Sequence, residues 1–261
     1  MCKYPCVLLL LVLVAAGCGH QQTTANTSSF DGVYNMVPEG GQGDTAYLQK
    51  KQLKMYTDGY VMYVGINPAD SAGSFGVGTF SFDSGRLTEN MIYGAADSVA
   101  NTKTFSTTTT ITQNGKGYTQ AAGSTEKKGL AEKYEPLAES AGPSVLDGAW
   151  KQVSGYSFKD RDTIFWNDAQ YKVFYKGNFV YGNYAGVSGT ANRKRTYTSW
   201  GSFSISGDTL MKETVTASNV GVLNGKSFDI HITINGENNY SETHQGAGGQ
   251  TEVITYQRMK R

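Results

Sequence analysis

The sequence predicts an all-β fold of two tandem eight-stranded up-and-down antiparallel barrels, and three observations carry that expectation. First, 17 tyrosines and 11 phenylalanines stand beside many threonines, the runs are broken by 32 glycines with only 5 prolines, and no amphipathic helical period follows the N-terminal segment. Aromatic and β-branched residues punctuated by glycine turns mark many short strands. Second, the body repeats itself once. Third, the connections alternate in length, which in an up-and-down meander gathers the tight turns at one end and the long loops at the other.

The strands of the first unit are bounded by their turn residues. They are expected near Gly32–Val37, Tyr47–Tyr56, Tyr60–Gly65, Gly76–Phe82, Arg86–Tyr93, Phe105–Gln113, Lys116–Ala121 and Leu130–Tyr134. Asp58-Gly59, Asp83-Ser84-Gly85 and Asn114-Gly115 read as tight hairpin turns, because Asn, Asp and Gly tolerate the left-handed backbone that such turns need. Residues 38–46, 66–74, 94–102 and 122–129 are longer and polar, and frame the other end.

The second unit repeats this order. Phe30-Asp31-Gly32-Val33-Tyr34 recurs as Leu146-Asp147-Gly148-Ala149-Trp150, and Lys54-Met55-Tyr56 as Lys172-Val173-Phe174. Gly78-Thr79-Phe80-Ser81-Phe82 recurs as Gly201-Ser202-Phe203-Ser204-Ile205, each followed by a glutamate, Glu89 or Glu213. Conserved order and spacing point to a duplicated unit. Pro136 to Ser144 breaks the strand-like runs between the copies. The expected domains are a first barrel over 30–137, a linker over 138–145 and a second barrel over 146–261.

Before the first barrel, Lys3, an apolar run from Val7 to Val14 and the small residues Ala15-Ala16-Gly17 precede Cys18. A basic start, a short apolar run and a small-residue cut form a secretory signal, and the run is too short to span a bilayer. The Ala15-Ala16-Gly17-Cys18 ending resembles the lipobox of bacterial lipoproteins, with Ala15 where Leu or Val is commoner. That resemblance implies a signal peptide over 1–17, palmitate-type acylation of Cys18 and a lipid membrane as partner, each buried methylene adding about 0.8 kcal/mol to the anchorage. Residues 18–29 are polar and patternless and read as a tether. Gly19 follows the cysteine in place of aspartate, which by resemblance to enterobacterial sorting rules implies an outer-membrane lipoprotein, facing the periplasm or the cell surface.

Cys2, Cys6 and Cys18 are the only cysteines, so the body folds without disulfides and offers no thiol nucleophile or cysteine metal site. Lys3 is the only charged residue of the first seventeen, which leaves 22 basic residues, one fewer than the chain's 23, against 22 acidic ones. A neutral body argues against nucleic acid as a partner.

The layout resembles the lipocalins and their calycin relatives. Gly148-Ala149-Trp150 is similar to the Gly-x-Trp of their first strand, and Arg258 sits where that family places an arginine across the tryptophan ring to close the barrel floor. In the first unit Tyr34 replaces the tryptophan and the arginine position falls near Pro136. The resemblance implies a binding protein for small, partly apolar ligands. The other reading is a structural or interaction lipoprotein whose barrels are packed solid and whose loops meet another envelope protein.

Alternation within strands names the inward candidates. Leu87, Glu89, Met91 and Tyr93 share one face, and Met211, Glu213 and Val215 share its counterpart. Tyr60, Met62 and Phe80 join them in the first unit, with Phe179, Tyr181 and Phe203 in the second. A lining of Tyr, Met and Phe suits an amphipathic guest, though it equally suits a filled core. Glu89 and Glu213 could meet a ligand's polar head, or be satisfied by a neighbouring tyrosine or lysine. Trp200 falls on the face opposite Phe203 in a regular strand, either as part of a contact surface beside Arg193-Lys194-Arg195 or turned inward by a bulge at Gly201. Catalysis finds little support. His20, His231 and His244 lie at no recognised metal spacing, Asp160-Arg161-Asp162 lacks the further oxygens of a calcium loop, and no serine sits in a nucleophile elbow. No enzyme activity, cofactor or metal is expected.

Overall fold

The computed structural model describes residues 30–37, 50–121, 131–159, 162–166, 168–186, 194–246 and 248–260. The signal, Cys18 and the tether lie outside them. The first barrel comprises β1 (Gly32–Val37), β2 (Lys51–Thr57), β3 (Tyr60–Ile66), β4 (Gly73–Asp83), β5 (Arg86–Ala96), β6 (Val99–Asn101), β7 (Phe105–Asn114), β8 (Gly117–Ala121) and β9 (Ala131–Pro136). The second comprises β10 (Gly148–Lys159), β11 (Asp162–Trp166), β12 (Ala169–Tyr175), β13 (Asn178–Gly186), β14 (Lys194–Ser206), β15 (Leu210–Ser218), β16 (Ser227–Ile234), β17 (Asn239–Gln245) and β18 (Thr251–Arg258).

Each set closes on itself as an antiparallel barrel of eight strands. In the first the ring runs β1-β2-β3-β4-β5-β7-β8-β9 and β9 returns to β1; in the second it runs β10-β12-β13-β14-β15-β16-β17-β18 and β18 returns to β10. The ninth strand of each sheet is an addition. β6 folds back on the upper end of β5, so the expected loop over 94–102 is largely a hairpin. β11 pairs only with the upper half of β10 and forms an edge.

The turn chemistry does what the residue types dictate. Asp58 and Gly59 take φ of 49° and 73°, the paired left-handed conformation whose twist matches that of the flanking strands. The loop between β3 and β4 is shorter than expected, and Asn67 and Asp70 cap it by accepting the backbone N–H groups of Ala69 and Ala72.

Both barrels carry the same β-bulge. Val77 faces Tyr93 while Gly78 faces Met91, leaving Ile92 as the extra residue; Trp200 faces Ala217 while Gly201 faces Val215, leaving Thr216 as the extra residue. A Cβ on Gly78 would stand 2.1 Å from the Asn90 carbonyl oxygen and one on Gly201 2.0 Å from that of Thr214, so the bulge requires glycine at this repeated position.

Three apolar cores result. One fills each barrel. The third lies between them, where the outward faces of β2, β3 and β4 meet those of β12, β13 and β14. Leu53, Met55, Met62, Val64, Phe75 and Val77 pack there with Tyr171, Val173, Val180 and Trp200. Strands buried on both faces read as continuous apolar runs, as in Tyr60-Val61-Met62-Tyr63-Val64. The phenyl ring of Phe75 and the methyl of Met62 occupy the space where a Cβ on Gly182 would stand, 2.4 and 2.8 Å away. Trp200 thus stays on the outer face, opposite Phe203, because the extra residue of the bulge lies in β15 and not in β14. Its surface is covered by the first barrel.

Hydrogen bonds at the loop-framed ends continue this interface. Thr196 N–H donates to the Asp97 carbonyl at 2.6 Å, the Tyr184 hydroxyl to the Ser98 carbonyl at 2.6 Å, and the Asn219 amide to the Ser71 carbonyl at 3.4 Å. The two mouths therefore stand side by side. The linker is also fixed: Ser140 and Ala141 N–H groups donate to the Lys176 carbonyl, and Glu139 pairs with the Lys176 ammonium at 2.7 Å.

Candidate functional site

The floor of each barrel is closed by an aromatic residue of the first strand. Trp150 donates its indole N–H to the Leu146 carbonyl at 2.7 Å, and the Arg258 guanidinium lies 4.2 Å over its ring. Arg258 also donates to the carbonyls of Val145, Asp147 and Glu237, so the C-terminal strand, the barrel's entry and the β16–β17 turn are tied at one point. Tyr34 does the corresponding work in the first barrel, its hydroxyl donating to the Phe30 carbonyl at 3.4 Å. Tyr34 pairs with Pro136 as Trp150 pairs with Arg258, so the first floor lacks the cation and is filled by Phe30, Tyr56, Phe80 and Tyr118.

Above each floor lies an ionic layer. In the first barrel Lys54 pairs with Glu89 at 3.0 Å, and Glu89 also accepts the Tyr56 hydroxyl at 2.6 Å. Glu132 accepts from the Gln120 amide at 2.6 Å and from the Tyr134 hydroxyl at 2.9 Å, while Lys54 reaches the Gln120 carbonyl oxygen at 3.5 Å. In the second barrel Lys172 holds two carboxylates, Glu213 at 2.8 Å and Glu242 at 2.7 Å, and Tyr240 donates to Glu242 at 3.1 Å. In both barrels a lysine pairs directly with one glutamate, Glu89 or Glu213; the second acid is Glu242 of β17, bound directly to Lys172, in one barrel, and Glu132 of β9, bonded to the Gln120 amide that Lys54 also meets, in the other. The stacked pair Tyr118–Tyr134, with centroids 4.8 Å apart, recurs as Tyr240–Tyr256 at 4.9 Å.

Burial acts strongly on these groups. It pushes the Glu213 carboxyl above its ordinary 4.5; Lys172 opposes that rise and Glu242 adds to it. The Tyr56, Tyr118, Tyr134, Tyr240 and Tyr256 hydroxyls are all pushed well above 10 by desolvation and by the nearby carboxylates. Tyr56, Tyr134 and Tyr240 donate to these carboxylates, Tyr118 bonds the Tyr56 hydroxyl and Tyr256 accepts from the Gln170 amide, and none has a route to ionisation near neutral pH.

Most of the residues expected to face inward do so. Phe80, Glu89 and Met91 lie in the first barrel; Phe179, Tyr181, Phe203, Met211 and Glu213 lie in the second. The two sets line separate interiors. Tyr60, Met62 and Tyr93 are the corrections, since they join the core between the barrels. For Tyr93 the cause is the bulge at Ile92, which reverses the alternation after Met91. For Tyr60 and Met62 it is the burial of both faces of β3, which removes the polar residues that would mark an outside. Lys54 and Lys172 belonged to the recognised repeat, yet only the sheet closure shows that they are the partners of Glu89 and Glu213.

Neither protein-family models nor curated proteins match this sequence. The likeness to lipocalins therefore rests on the closed eight-stranded layout and the Trp150–Arg258 floor.

The upper part of the second barrel differs from the rest. Gln152 is 2% exposed and both its amide nitrogen and its oxygen lack a hydrogen-bond partner. Near it stand Gln170, bonded to Tyr256, and Asn183, whose amide bonds Tyr181 while its oxygen is unpartnered. His244 follows Tyr240 and Glu242 on the inward face of β17; its Nε2 lies 3.3 Å from Glu252 and its Nδ1 is buried without a partner. These residues had no distinguishing motif in the sequence. Elsewhere, a cleft of about 840 Å³ lies at the tight-turn end of this barrel, between the linker at Pro143 and Val145 and the strand ends at Ile205, Thr209 and Ile234. Among the described residues no group of His, Cys, Asp or Glu is placed to hold a metal ion, and no helix is long and apolar enough to cross a membrane.

Proposed function

We propose that this chain is a lipoprotein of the bacterial cell envelope in which two fused, filled barrels form a rigid recognition scaffold, with binding at the loop-framed end in place of carriage of an apolar guest inside. The observation that supports this reading is the lysine–glutamate–tyrosine layer at mid-height in both barrels. A hydrocarbon chain entering from the mouth would have to displace Lys172 from Glu213 and Glu242, side chains between 2% and 9% exposed, and leave buried charges unpaired. Removing one partner of such a pair costs about 3–5 kcal/mol, more than a few buried methylenes at about 0.8 kcal/mol each return. Aromatic stacks below the layer leave the floor closed as well.

Two further features favour a scaffold. The core between the barrels holds their mouths side by side, so the loops at that end act as one surface. The chain also enters the first barrel at Phe30, on the floor side, so a lipid on Cys18 would leave the mouths on the side away from the tether.

A fluorescent polyene fatty acid titrated into the purified soluble body should give no saturable signal. One-to-one binding at micromolar concentration would overturn the filled-scaffold reading. The anchorage is tested separately by Cys18→Ser, which should move the protein from the membrane to the soluble fraction; membrane retention of that variant would count against lipidation.

A further inference from the structure

The β10–β11 hairpin extends the second barrel at its mouth and leaves one edge open. Along its other side β10 bonds β18: Met259 N–H donates to the Ala149 carbonyl, so Gln257, Thr255, Val253 and Thr251, at every second position, turn their backbone groups towards β10. Tyr156 and Phe158 stand opposite Val253 and Thr251 and complete those bonds. Gly155, Ser157 and Lys159 are then left to bond β11, through Trp166, Ile164 and Asp162. This alternation directs the N–H and C=O groups of Thr163 and Phe165 away from β10, and among the described residues no strand pairs with that side. A row of unpaired ladder groups is a template for one more strand.

Both faces beside the open edge offer side-chain contacts. On the outer face Phe165 is 76% exposed, its ring 5.8 Å from that of Tyr156, which stands 6.3 Å from Phe158. On the other face Ile164 is 66% exposed beside a hollow of about 370 Å³ that Ser157, Lys159, Asp162 and Gln250 also line. Proline, lysine and bulges, which blunt natural edges, are absent from Thr163 to Trp166. Charge marks the lower end. Ala169 of β12 pairs with Tyr184 of β13, so a strand added to β11 would stand in line with β13, above Gly186. Lys194 pairs with Gly186; it is exposed, with its ammonium 5.7 Å from the Tyr184 ring centroid, and Arg195 follows with its Nε buried and unpartnered. These two cations outweigh Asp168, whose carboxyl burial pushes up while Lys194 opposes the rise, so an incoming acidic side chain meets positive charge.

We infer that β11 is a docking edge for one extended peptide strand of a partner protein, antiparallel to β11, apolar at alternate positions and acidic at its N-terminal end. The added backbone completes the ladder at Thr163 and Phe165. One set of its side chains lies over Tyr156, Phe158 and Phe165, the other enters the hollow beside Ile164, and its acid meets Lys194. The inference rests on the scaffold reading above, because the partner is held at the loop-framed end and nothing enters the barrel. A second copy of the chain fits less well. Antiparallel pairing of two β11 strands sets a two-fold axis between them and turns one copy's floor, with the tether that enters it, away from the membrane.

The test uses the lipid-free body and a panel of fluorescein-labelled peptides about six residues long, the length of a typical strand, with valine, phenylalanine or threonine at alternate positions and glutamate at the N-terminal end. At least one should raise the anisotropy saturably. Thr163→Pro removes an N–H that points away from β10, so the hairpin keeps its own bonds while the ladder to the peptide is broken, and binding should weaken by about tenfold or more. Methylating the peptide nitrogens that face β11 should weaken binding to the same extent, whereas methylating the alternate set should not. That comparison leaves the protein untouched, so it holds even where the proline variant fails to fold. Lys194→Glu should weaken the glutamate peptides by about tenfold and favour the same peptides carrying lysine instead. Silence from the whole panel at millimolar concentration, or equal weakening by the two methylation patterns, overturns the inference. Concentration-dependent dimerisation of the parent that Thr163→Pro abolishes would assign the edge to a second copy and overturn it as well. The fatty-acid titration is run alongside: silence from both peptides and fatty acid removes the docking edge but leaves the filled scaffold standing, whereas fatty-acid binding removes the scaffold reading and the inference with it.

Discussion

Lys172→Met isolates the contribution of the ionic layer. The lysine is 4% exposed and holds Glu213 and Glu242 at 2.8 and 2.7 Å, so methionine of similar length leaves two buried carboxylates without a cation. Breaking a buried pair from one side costs about 3–5 kcal/mol, a large share of the roughly 5–15 kcal/mol that holds a domain folded. For a chain of this size the melting temperature should fall by about 10 °C. The pH dependence gives the loss its signature. The Glu213 carboxyl already sits above 4.5 in the folded chain, so over the interval between its unfolded and folded values the folded state binds more protons and stability falls as pH rises. Without Lys172 the folded value rises further, so the variant should be weakest near about pH 7.5 and recover much of its deficit towards about pH 5, as the Glu213 carboxyl takes up a proton. Thermal unfolding by far-ultraviolet circular dichroism at the two pH values measures both effects. Adding Glu213→Gln and Glu242→Gln should restore the melting temperature at the higher pH by removing the orphaned charges. A single variant within about 1 kcal/mol of the parent at neutral pH, or one equally weakened at both pH values, would refute the reasoning.

The remaining predictions concern the floor and the joint between the barrels. Arg258→Met removes the cation over Trp150 and three carbonyl contacts, and should lower stability in urea by about 2–3 kcal/mol with a change in Trp150 fluorescence. Phe75→Ala empties the pocket against Gly182 and should cost about 3–5 kcal/mol, and because the two barrels share that core a single unfolding transition should shift as a whole. Two separated transitions in the parent protein would show that the barrels are independent. Limited proteolysis should spare residues 138–145, whose backbone is bonded to Lys176, until one of the barrels opens.

Much of this molecule was legible in the sequence because its signals are local. Strand lengths, the Asp58-Gly59 and Ser84-Gly85 turns and the duplication follow from residue types at short or repeated spacings, and the backbone conformation each residue tolerates decides the turns, whereas the Trp150–Arg258 floor was implied by the lipocalin resemblance. Inward-facing Glu89 and Glu213 followed from alternation alone, since their strands have one buried and one solvated face near them. Alternation failed where that contrast vanished. Tyr60 and Met62 lie on a strand buried on both sides, and Tyr93 lies beyond a bulge, so which face is inside depends on a second barrel packed against the wall. The partners of the glutamates were likewise beyond reach: Lys172 is 41 residues from Glu213 and 70 from Glu242, and only the closing of the sheet brings them together. Gln152 shows the limit most clearly, for nothing in its neighbours along the chain says that its amide will be buried without a partner. That is decided by which strands meet around it, where the Trp166 ring and the Gln152 amide fill the space beside Gly155.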